Sequence, residues 1–304
     1  MREKPILHTP DGRGIIFDPV FYSEKAAIGP LFHILKSPTC RPNDAFSAFG
    51  QAFEEYILDM LGRMFASPGN LVNRFSKNVK ALDSGGDSIE IDAILNDVFE
   101  VVLFEVKSTF IPEDVILCDD YETLLHTMRE RYSRTRTPRG GMKLKGVGQL
   151  ARTATSLAIG KWAGDGNEFR TVRLIYPVLV VHDSLLTSPV YGNFFASEFA
   201  THLQPDSTLP SGIFVKGDKR IAPVIVMSVD DLENLETSIE HFSFRDLVAD
   251  YSSNCLDRVM SLHNFIAFSE RYRGAMYHNR NLASSALEIL NKCSEALFGK
   301  KFSY

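Results

Sequence analysis

The chain has 304 residues and a formal net charge of −5, and 44% of its residues are apolar. This composition is typical of a globular protein that buries a full apolar core. The acidic balance argues against a protein that coats nucleic acid through its overall charge, so any nucleic-acid binding has to come from a local basic surface.

Membrane insertion and a cysteine-based framework are not indicated. No apolar run reaches the roughly 20 residues that span a bilayer, and residues 1–5 lack the apolar stretch of a secretory signal. The four cysteines are widely spaced, without the Cys-x-x-Cys pairs of a zinc site or the density of a disulfide scaffold. We therefore expect a cytoplasmic protein with no membrane partner.

The first half of the core is predicted from hydrophobic periodicity. Residues 1–42 carry several prolines and glycines without a sustained period, which indicates an irregular arm or short strands. Apolar residues then recur at helical spacing over residues 43–66, which predicts an amphipathic helix. Residues 88–95 and 99–108 are predicted to form two neighbouring strands.

The second half alternates helices with strands. A polar helix is predicted over residues 119–134, followed by a basic, glycine-containing loop and a second helix over residues 146–159. The apolar runs at residues 172–182 and 222–228 indicate strands, the first covered on both faces, and the pattern is helical from about residue 244. This order predicts an α/β fold with a mixed central sheet flanked by helices, and a helical C-terminal part.

Three parts follow from these elements. They are an N-terminal arm at residues 1–42, a core at residues 43–235 with a basic insertion at residues 119–145, and a helical C-terminal subdomain at residues 236–304. From its size alone, the C-terminal subdomain is a candidate surface for a second copy of the chain or for a partner protein.

A carboxylate and an ammonium group share one face of the second predicted strand. Glu105 and Lys107 alternate with apolar residues, so they point the same way at the end of a buried strand. Asp92 lies between apolar residues on the preceding strand. Buried charges are unfavourable unless they are paired or hold a metal, and a divalent cation with oxygen ligands relieves the repulsion between two carboxylates. These residues therefore predict a metal site.

The metal prediction constrains the hairpin between the two strands. A two-residue turn at residues 96–97 would place Glu105 opposite Ser88, roughly 13 Å along the strand from Asp92. One ion cannot bridge that separation. We therefore expect a wider loop or a bulge, with residues 96–101 outside the regular ladder.

The pattern resembles the PD-(D/E)XK nuclease superfamily. The core of that superfamily is a helix, two antiparallel strands that carry Asp and then Glu-x-Lys, a further helix and further strands. Asp92 matches the first acidic position and Glu105-Val106-Lys107 matches Glu-x-Lys, although Ile91 stands where many members have proline. The resemblance covers roughly residues 43–183 and implies a restriction-endonuclease-like fold.

Two flanking segments extend the resemblance. The stretch Gly50-Gln51-Ala52-Phe53-Glu54 is similar to the first core helix of many members, which implies that Glu54, rather than its neighbour Glu55, is an additional metal ligand. The stretch Gly146-Val147-Gly148-Gln149-Leu150 is similar to the start of the helix after the lysine strand, where some members carry a glutamine in the site.

The resemblance also implies a role for each of these residues. Lys107 would orient the attacking water or neutralise charge on the phosphate, and Gln149 would hold the lysine or the phosphate in place. Mg²⁺ or Mn²⁺ would activate the water. The implied metal ligands are the carboxylates of Glu54, Asp92 and Glu105 and the carbonyl of Val106.

The basic insertion is the candidate surface for nucleic acid. Seven basic residues lie between residues 129 and 145, against the single acid Glu130. Such a stretch is either a solvated loop or a surface that grips the backbone of the substrate, and the sequence leaves both open. The candidate nucleic-acid-binding residues are Arg134, Arg136, Arg139, Lys143 and Lys145.

The resemblance implies a metal-dependent nuclease that hydrolyses phosphodiester bonds of DNA, or of RNA, in a context such as bacterial defence or DNA repair. One alternative is a catalytically inactive nucleic-acid-binding or scaffold protein on the same fold. Another is a metal-independent helical ribonuclease, because the spacing of Arg273 and His278 resembles the motif of HEPN domains.

Overall fold

The computed structural model describes residues 6–8, 11, 14–16, 41–66, 74–82, 88–116, 118–138, 140–161, 169–254 and 260–273, together with the isolated positions 284, 288, 291 and 292. It divides into two compact units, Met1–Ala52 and Phe53–Tyr304. The predicted limits of the arm at residues 1–42 and of the subdomain at residues 236–304 stay predictions.

The first unit contains one strand pair and the beginning of a helix. Strand β1 (Ile6–His8) pairs antiparallel with β2 (Gly14–Ile16). Helix α1 (Pro42–Met64) begins in this unit and continues into the second one.

The second unit contains the remaining elements. The strands are β3 (Arg74–Leu82), β4 (Ser88–Asp97), β5 (Glu100–Lys107), β6 (Arg134–Arg136), β7 (Met142–Leu144), β8 (Leu174–Val181), β9 (Ser207–Thr208), β10 (Phe214–Lys216), β11 (Lys219–Ile221) and β12 (Ile225–Ser228). The helices are α2 (Glu113–Ile116), α3 (Tyr121–Tyr132), α4 (Val147–Ala158), the 3-10 helix Ser184–Thr187, α5 (Pro189–Leu203), α6 (Val229–Ser238), α7 (Phe244–Asn254) and α8 (Leu262–Phe268).

An eight-stranded mixed sheet organises this unit. Its order is β3-β4-β5-β8-β11-β10-β9, and β12 pairs with β8. The three strands β3, β4 and β5 are antiparallel, whereas β8 is parallel to β5 and also to β11 and β12. The two parallel strands β5 and β8 are connected through α3, the β6–β7 hairpin and α4.

Helices cover both faces of the two central strands. On one face, Leu150 of α4 and Phe195 of α5 belong to the same buried cluster as Leu103 of β5. On the other face, the ring of Phe104 lies 5.9 Å from that of Phe244 in α7. Because successive side chains of a strand point to opposite faces, β5 and β8 are apolar almost throughout. The prediction of a mixed sheet flanked by helices is confirmed.

The hairpin between β4 and β5 differs from the predicted one. Asn96 pairs with Val101 and Asp97 pairs with Glu100, so the expectation that residues 96–101 leave the ladder is wrong. The turn is instead the two residues 98 and 99, which lie two positions later than the turn at residues 96–97. That shift moves the partner of each β5 residue by four positions along β4.

The basic stretch after α3 also differs from its prediction. It is not a loop, because Arg134 pairs with Leu144 and Arg136 pairs with Met142 in a two-stranded antiparallel hairpin. We call this element, residues 134–144, the basic hairpin. Arg139, which comes between the two strands in the sequence, lies outside the described residues.

The segment after α8 contains one of the two residues of the predicted ribonuclease motif. Helix α8 ends at Phe268, and Arg273 lies in a 3-10 turn where its N–H donates to the carbonyl of Ser269 at 2.9 Å. His278 lies outside the described residues, so the predicted pairing of Arg273 with His278 stays a prediction.

Within the part of the chain that the structure describes, none of the helices combines the length and the apolar character that crossing a membrane requires.

Candidate active site

The hairpin register brings Asp92 beside Glu105. Ala93 pairs with Phe104, and the next step of this register would pair Asp92 with Glu105. At that step the backbone N–H of Val106 donates to a side-chain oxygen, Asp92 Oδ2, at 2.6 Å. This bond takes the place of a backbone hydrogen bond between the two strands. Asp92 and Glu105 therefore lie near the same point of the two strands, and the charge of Asp92 acts on Glu105.

Asp92 also lies at an interruption on the other side of β4. Lys77 pairs with Ala93 and Val79 pairs with Ile91, but Asn78, which stands opposite Asp92, has a φ of +50° and forms no regular pair. A positive φ is uncommon outside glycine and is tolerated best by asparagine. The break in the regular pairing of β3 with β4 therefore lies at the position of the Asp92 carboxylate.

Glu105 and Lys107 are in close contact at the end of β5. Lys107 Nζ lies 2.6 Å from Glu105 Oε1, and the Glu105 side chain is fully buried. Glu105 Oε2 accepts no hydrogen bond from any described residue. Burial outweighs the nearby lysine and raises the pKa of Glu105 to about 8. The carboxylate is therefore poorly compensated by the protein alone.

The charges around this pair are coupled. Burial by itself lowers the pKa of Lys107, but the carboxylates of Glu105, Asp92 and Glu54 outweigh that effect and raise it. Burial raises the pKa of Asp92, and Lys107 and the Val106 N–H counteract that rise. Lys107 thus remains an ammonium group that faces several acids.

The structure brings Glu54, and not Glu55, toward this site. The pKa of Glu54 is raised by burial and by Asp92, and Lys107 opposes the rise. Glu54 is half-buried on α1, whereas Glu55 is exposed. Next to it, the ring of Phe53 packs on His182, 5.4 Å away, just after the end of β8.

The carbonyl of Val106 points to the same side as Asp92. The carbonyl of Lys107 accepts a hydrogen bond from the N–H of His182, on the β8 side of β5. Successive carbonyls of a strand alternate in direction, so the Val106 carbonyl points to the β4 side. Its N–H, which donates to Asp92, points to that side as well.

Gln149 occupies a capping position at the start of α4. Its Oε1 accepts a hydrogen bond from the N–H of Gly146 at 3.1 Å. That hydrogen bond satisfies a backbone donor at the start of the helix. It is the hydrogen bond that the structure shows for the Gln149 side chain. The predicted role of Gln149 toward Lys107 or a phosphate stays a prediction.

The basic hairpin is connected to the site through Lys145. Arg134, Arg136 and Lys143 are exposed, and Lys145 is half-buried. The pKa of Lys145 is lowered by burial and by the positive charges of Lys143, Arg131 and Lys107. Cationic groups therefore continue from the site toward the hairpin.

The geometry fits a metal ion only in part. Among the residues that the structure describes, no group of three or more His, Cys, Asp or Glu side chains is close enough to hold a metal ion. Asp92 and Glu105 are coupled electrostatically, and Glu105 keeps an oxygen without a hydrogen bond from a described residue. Mg²⁺ is commonly bound by one or two carboxylates, with water and substrate phosphate completing its shell. The donor set fits that mode rather than an all-protein cage.

Comparison with known proteins gives a distant structural likeness. The fold is similar to that of the small subunit of the heterodimeric restriction endonuclease R.BspD6I, with a TM-score of 0.33 and 14% sequence identity over 79% of this chain and 92% of that chain. Neither a protein-family model nor a curated protein matches the sequence. The likeness is too distant to carry an argument, so the interpretation of the site depends on its geometry.

Sequence reasoning missed a buried polar cluster behind the basic hairpin. Glu198 of α5 accepts hydrogen bonds from Arg129 and Ser133, and Ser133 also contacts His202. Glu198 lies 65 positions from Ser133 in the sequence, so no local pattern connects the two residues.

Proposed function

We propose that the protein is a divalent-metal-dependent nuclease that hydrolyses phosphodiester bonds of DNA. The observation that carries the proposal is the fully buried carboxylate of Glu105, which is coupled electrostatically to Asp92 and keeps one oxygen without a hydrogen bond from a described residue. An ionised carboxylate in such a position needs a compensating charge. A divalent cation bound to Asp92 and Glu105 supplies that charge.

Mg²⁺ or Mn²⁺ is the expected ion because the donors are oxygen atoms. Asp92, Glu105 and the carbonyl of Val106 are the proposed direct ligands, and Glu54 is the proposed ligand through a bound water. Bound there, the ion would lower the pKa of a water molecule and stabilise negative charge on the phosphate.

Two contacts prepare the residues for this role. The N–H of Val106 holds one oxygen of Asp92, which leaves the other oxygen for a ligand. Lys107 lies 2.6 Å from Glu105, so its ammonium sits beside the reacting phosphate in the proposed complex. A positive charge fixed before the reaction stabilises charge that develops in the transition state.

The basic hairpin supports nucleic acid as the substrate. It presents Arg134, Arg136 and Lys143 to solvent on a chain whose net charge is −5. Cations that contact phosphates fix the register of a nucleic acid and make its binding depend on salt. We propose DNA as the substrate and keep RNA as an outcome of the test.

The test combines a cleavage assay with a metal-binding measurement. Plasmid, linear duplex, single-stranded DNA and RNA are incubated with Mg²⁺, Mn²⁺ or chelator, and calorimetry measures Mn²⁺ binding without substrate. We expect metal-dependent DNA cleavage that Glu105→Ala and Lys107→Ala both abolish, whereas Lys80→Ala, an exposed lysine of β3, retains it. Glu105→Ala also weakens Mn²⁺ binding.

Other results lead to other functions. Nucleic-acid binding without Mn²⁺ binding or cleavage would identify a binding module and overturn the catalytic proposal. Cleavage of RNA that persists in chelator and is lost in His278→Ala would point to the metal-independent ribonuclease. Metal-dependent cleavage of RNA but not of DNA would change the proposed substrate and leave the proposed mechanism unchanged.

A further inference from the structure

A buried carboxylate organises the base of the basic hairpin. Glu198 of α5 accepts a hydrogen bond from Arg129 Nε at 2.8 Å with Oε1 and from the Ser133 hydroxyl at 2.8 Å with Oε2. His202 Nε2 lies 2.7 Å from the same hydroxyl oxygen. Since Ser133 gives its only hydroxyl proton to Glu198, His202 has to be the donor in that contact. The three contacts thus form one chain of hydrogen bonds that ends on Glu198.

The cluster fixes the point where the hairpin leaves the core. Ser133 is the single residue between the end of α3 at Tyr132 and the start of β6 at Arg134. The other end of the hairpin returns to the same place, because the N–H of Lys145 donates to the carbonyl of Ser133 at 2.9 Å. Both ends of the hairpin therefore meet at a residue whose side chain Glu198 holds.

The start of α4 lies close to the backbone of Tyr132 and Ser133. A Cβ atom on Gly146 would lie 2.5 Å from the carbonyl oxygen of Tyr132, and one on Gly148 would collide with the carbonyl oxygen of Ser133. The start of α4 is thus packed directly against the base of the hairpin. A change in the Ser133 contacts is transmitted to the hairpin rather than absorbed locally.

We propose that Glu198 is a positioning residue for substrate binding: it sets the direction of the basic hairpin and so the distance between the cations of the hairpin and Lys107. This inference rests on the proposed nuclease function and assigns to it a residue that contacts neither metal nor substrate. Glu198 acts through Ser133 and through the hairpin.

Simple electrostatics gives the opposite expectation, which makes the inference testable. Removing a negative charge near a cationic surface strengthens its attraction for a polyanion. Glu130 provides the matched case, because it is an exposed acid of α3 whose negative charge also acts on Lys145. If charge alone matters, Glu198→Gln and Glu130→Gln both tighten DNA binding.

The experiment measures DNA binding by the full chain in chelator across a range of salt concentrations, and then KM and kcat with Mn²⁺. We expect Glu198→Gln to raise the dissociation constant and KM on the order of tenfold, as for the loss of a hydrogen bond to a charged group. We expect kcat to stay within about twofold, and the slope of log K against log salt to fall by about 0.9 for each displaced cation. Glu130→Gln should not weaken binding.

Folding is controlled by thermal melting and by a milder variant. Ser133→Ala removes only the hydroxyl and keeps the contact of Glu198 with Arg129, so it should weaken binding in the same direction even if Glu198→Gln does not fold. The positioning role is overturned if Glu198→Gln and Glu130→Gln change DNA binding equally. If Glu198→Gln is unfolded, the role is overturned by unchanged binding in Ser133→Ala. Either result leaves the nuclease proposal intact. Failure of the wild-type chain to bind or cleave nucleic acid overturns both.

Discussion

Burial of Glu105 makes the stability of the metal-free protein depend on pH. Its pKa is raised from the usual 4.5 to about 8, so between these values the folded chain holds a proton that the unfolded chain has lost. The free energy of unfolding therefore decreases as the pH rises through this window. Glutamine has the same shape and cannot ionise. We expect the stability of Glu105→Gln relative to wild type to increase from about pH 5 to about pH 8.

Urea denaturation in chelator at several pH values measures this difference. Glu122→Gln, the same substitution at an exposed position of α3, is the control. A Glu105→Gln effect that is constant across the window, or that shrinks as the pH rises, would mean that Glu105 does not carry the raised pKa.

Glu54 and Glu55 provide a matched pair for the third acid of the site. Glu54 is coupled to Asp92 and Lys107, and Glu55 is exposed on the same helix. We expect Glu54→Gln to weaken Mn²⁺ binding about 10- to 100-fold, because partners that act through an intervening group typically contribute that much to metal affinity. Glu55→Gln should match wild type, and calorimetry compares the two. Equal losses in both variants would remove Glu54 from the site.

The sequence predicts which residues form this site but not how they meet. Alternation along β5 suffices to place Glu105 and Lys107 on one face, because it depends only on neighbouring residues. The position of Asp92 depends on where the turn falls, and a turn at residues 98–99 carries no Asn-Gly or Gly-Gly signal; Val98 adopts a φ of +35° there. Tertiary pairing of the strands decides the register.

The helix that follows the basic hairpin depends on close backbone packing at its start. Gly146 has a φ of +46°, and a Cβ on it would meet the Tyr132 carbonyl oxygen at 2.5 Å. Gly160 has a φ of +74° but has no atom within 4 Å of such a Cβ. We expect Gly146→Ala to lower the free energy of unfolding by about 2 to 4 kcal/mol and Gly160→Ala by only about 1 kcal/mol.

Chemical denaturation compares a glycine packed against backbone with one that has open space around it. The difference between the two variants reports the packing of α4 against the end of α3 together with the less favourable backbone conformation of Gly146, whose ψ is −111°. Similar losses in both variants would show that α4 can move away from Tyr132 freely, which contradicts the rigid base of the basic hairpin.

Elements with a regular amphipathic pattern were predictable, and those without one were not. Helix α4 has a clear apolar face and was predicted to within one residue at each end. The sequence does not predict helix α5, because the apolar residues of this helix are spread around its whole circumference. Strand β3 was missed because Arg74, Lys77 and Lys80 interrupt a short apolar alternation. These elements form because neighbouring parts of the core cover them.

At the scale of the whole second unit, the sheet separates structural ion pairs from the candidate site. Arg245 of α7 contacts Asp97, Glu100 and Asp246, and Glu100 starts the strand that ends at Lys107. The seven steps from Glu100 to Lys107 span roughly 23 Å of strand. The charges at the turn end are thus too far from Lys107 to act directly on the candidate site at physiological salt.

We expect Arg245→Ala to destabilise the fold while leaving the chemistry unchanged. The substitution leaves the partly buried carboxylates of Asp97 and Glu100 without the guanidinium, which should lower the free energy of unfolding by about 1 to 3 kcal/mol. Wild-type kcat should persist at temperatures where the variant stays folded, because Glu105 and Lys107 keep their contacts. Melting curves and cleavage rates on the same preparation test both statements. Loss of kcat in a folded Arg245→Ala would show that the turn end of β5 controls the site. The conclusion that the ion pairs at the turn act independently of the site would then be wrong.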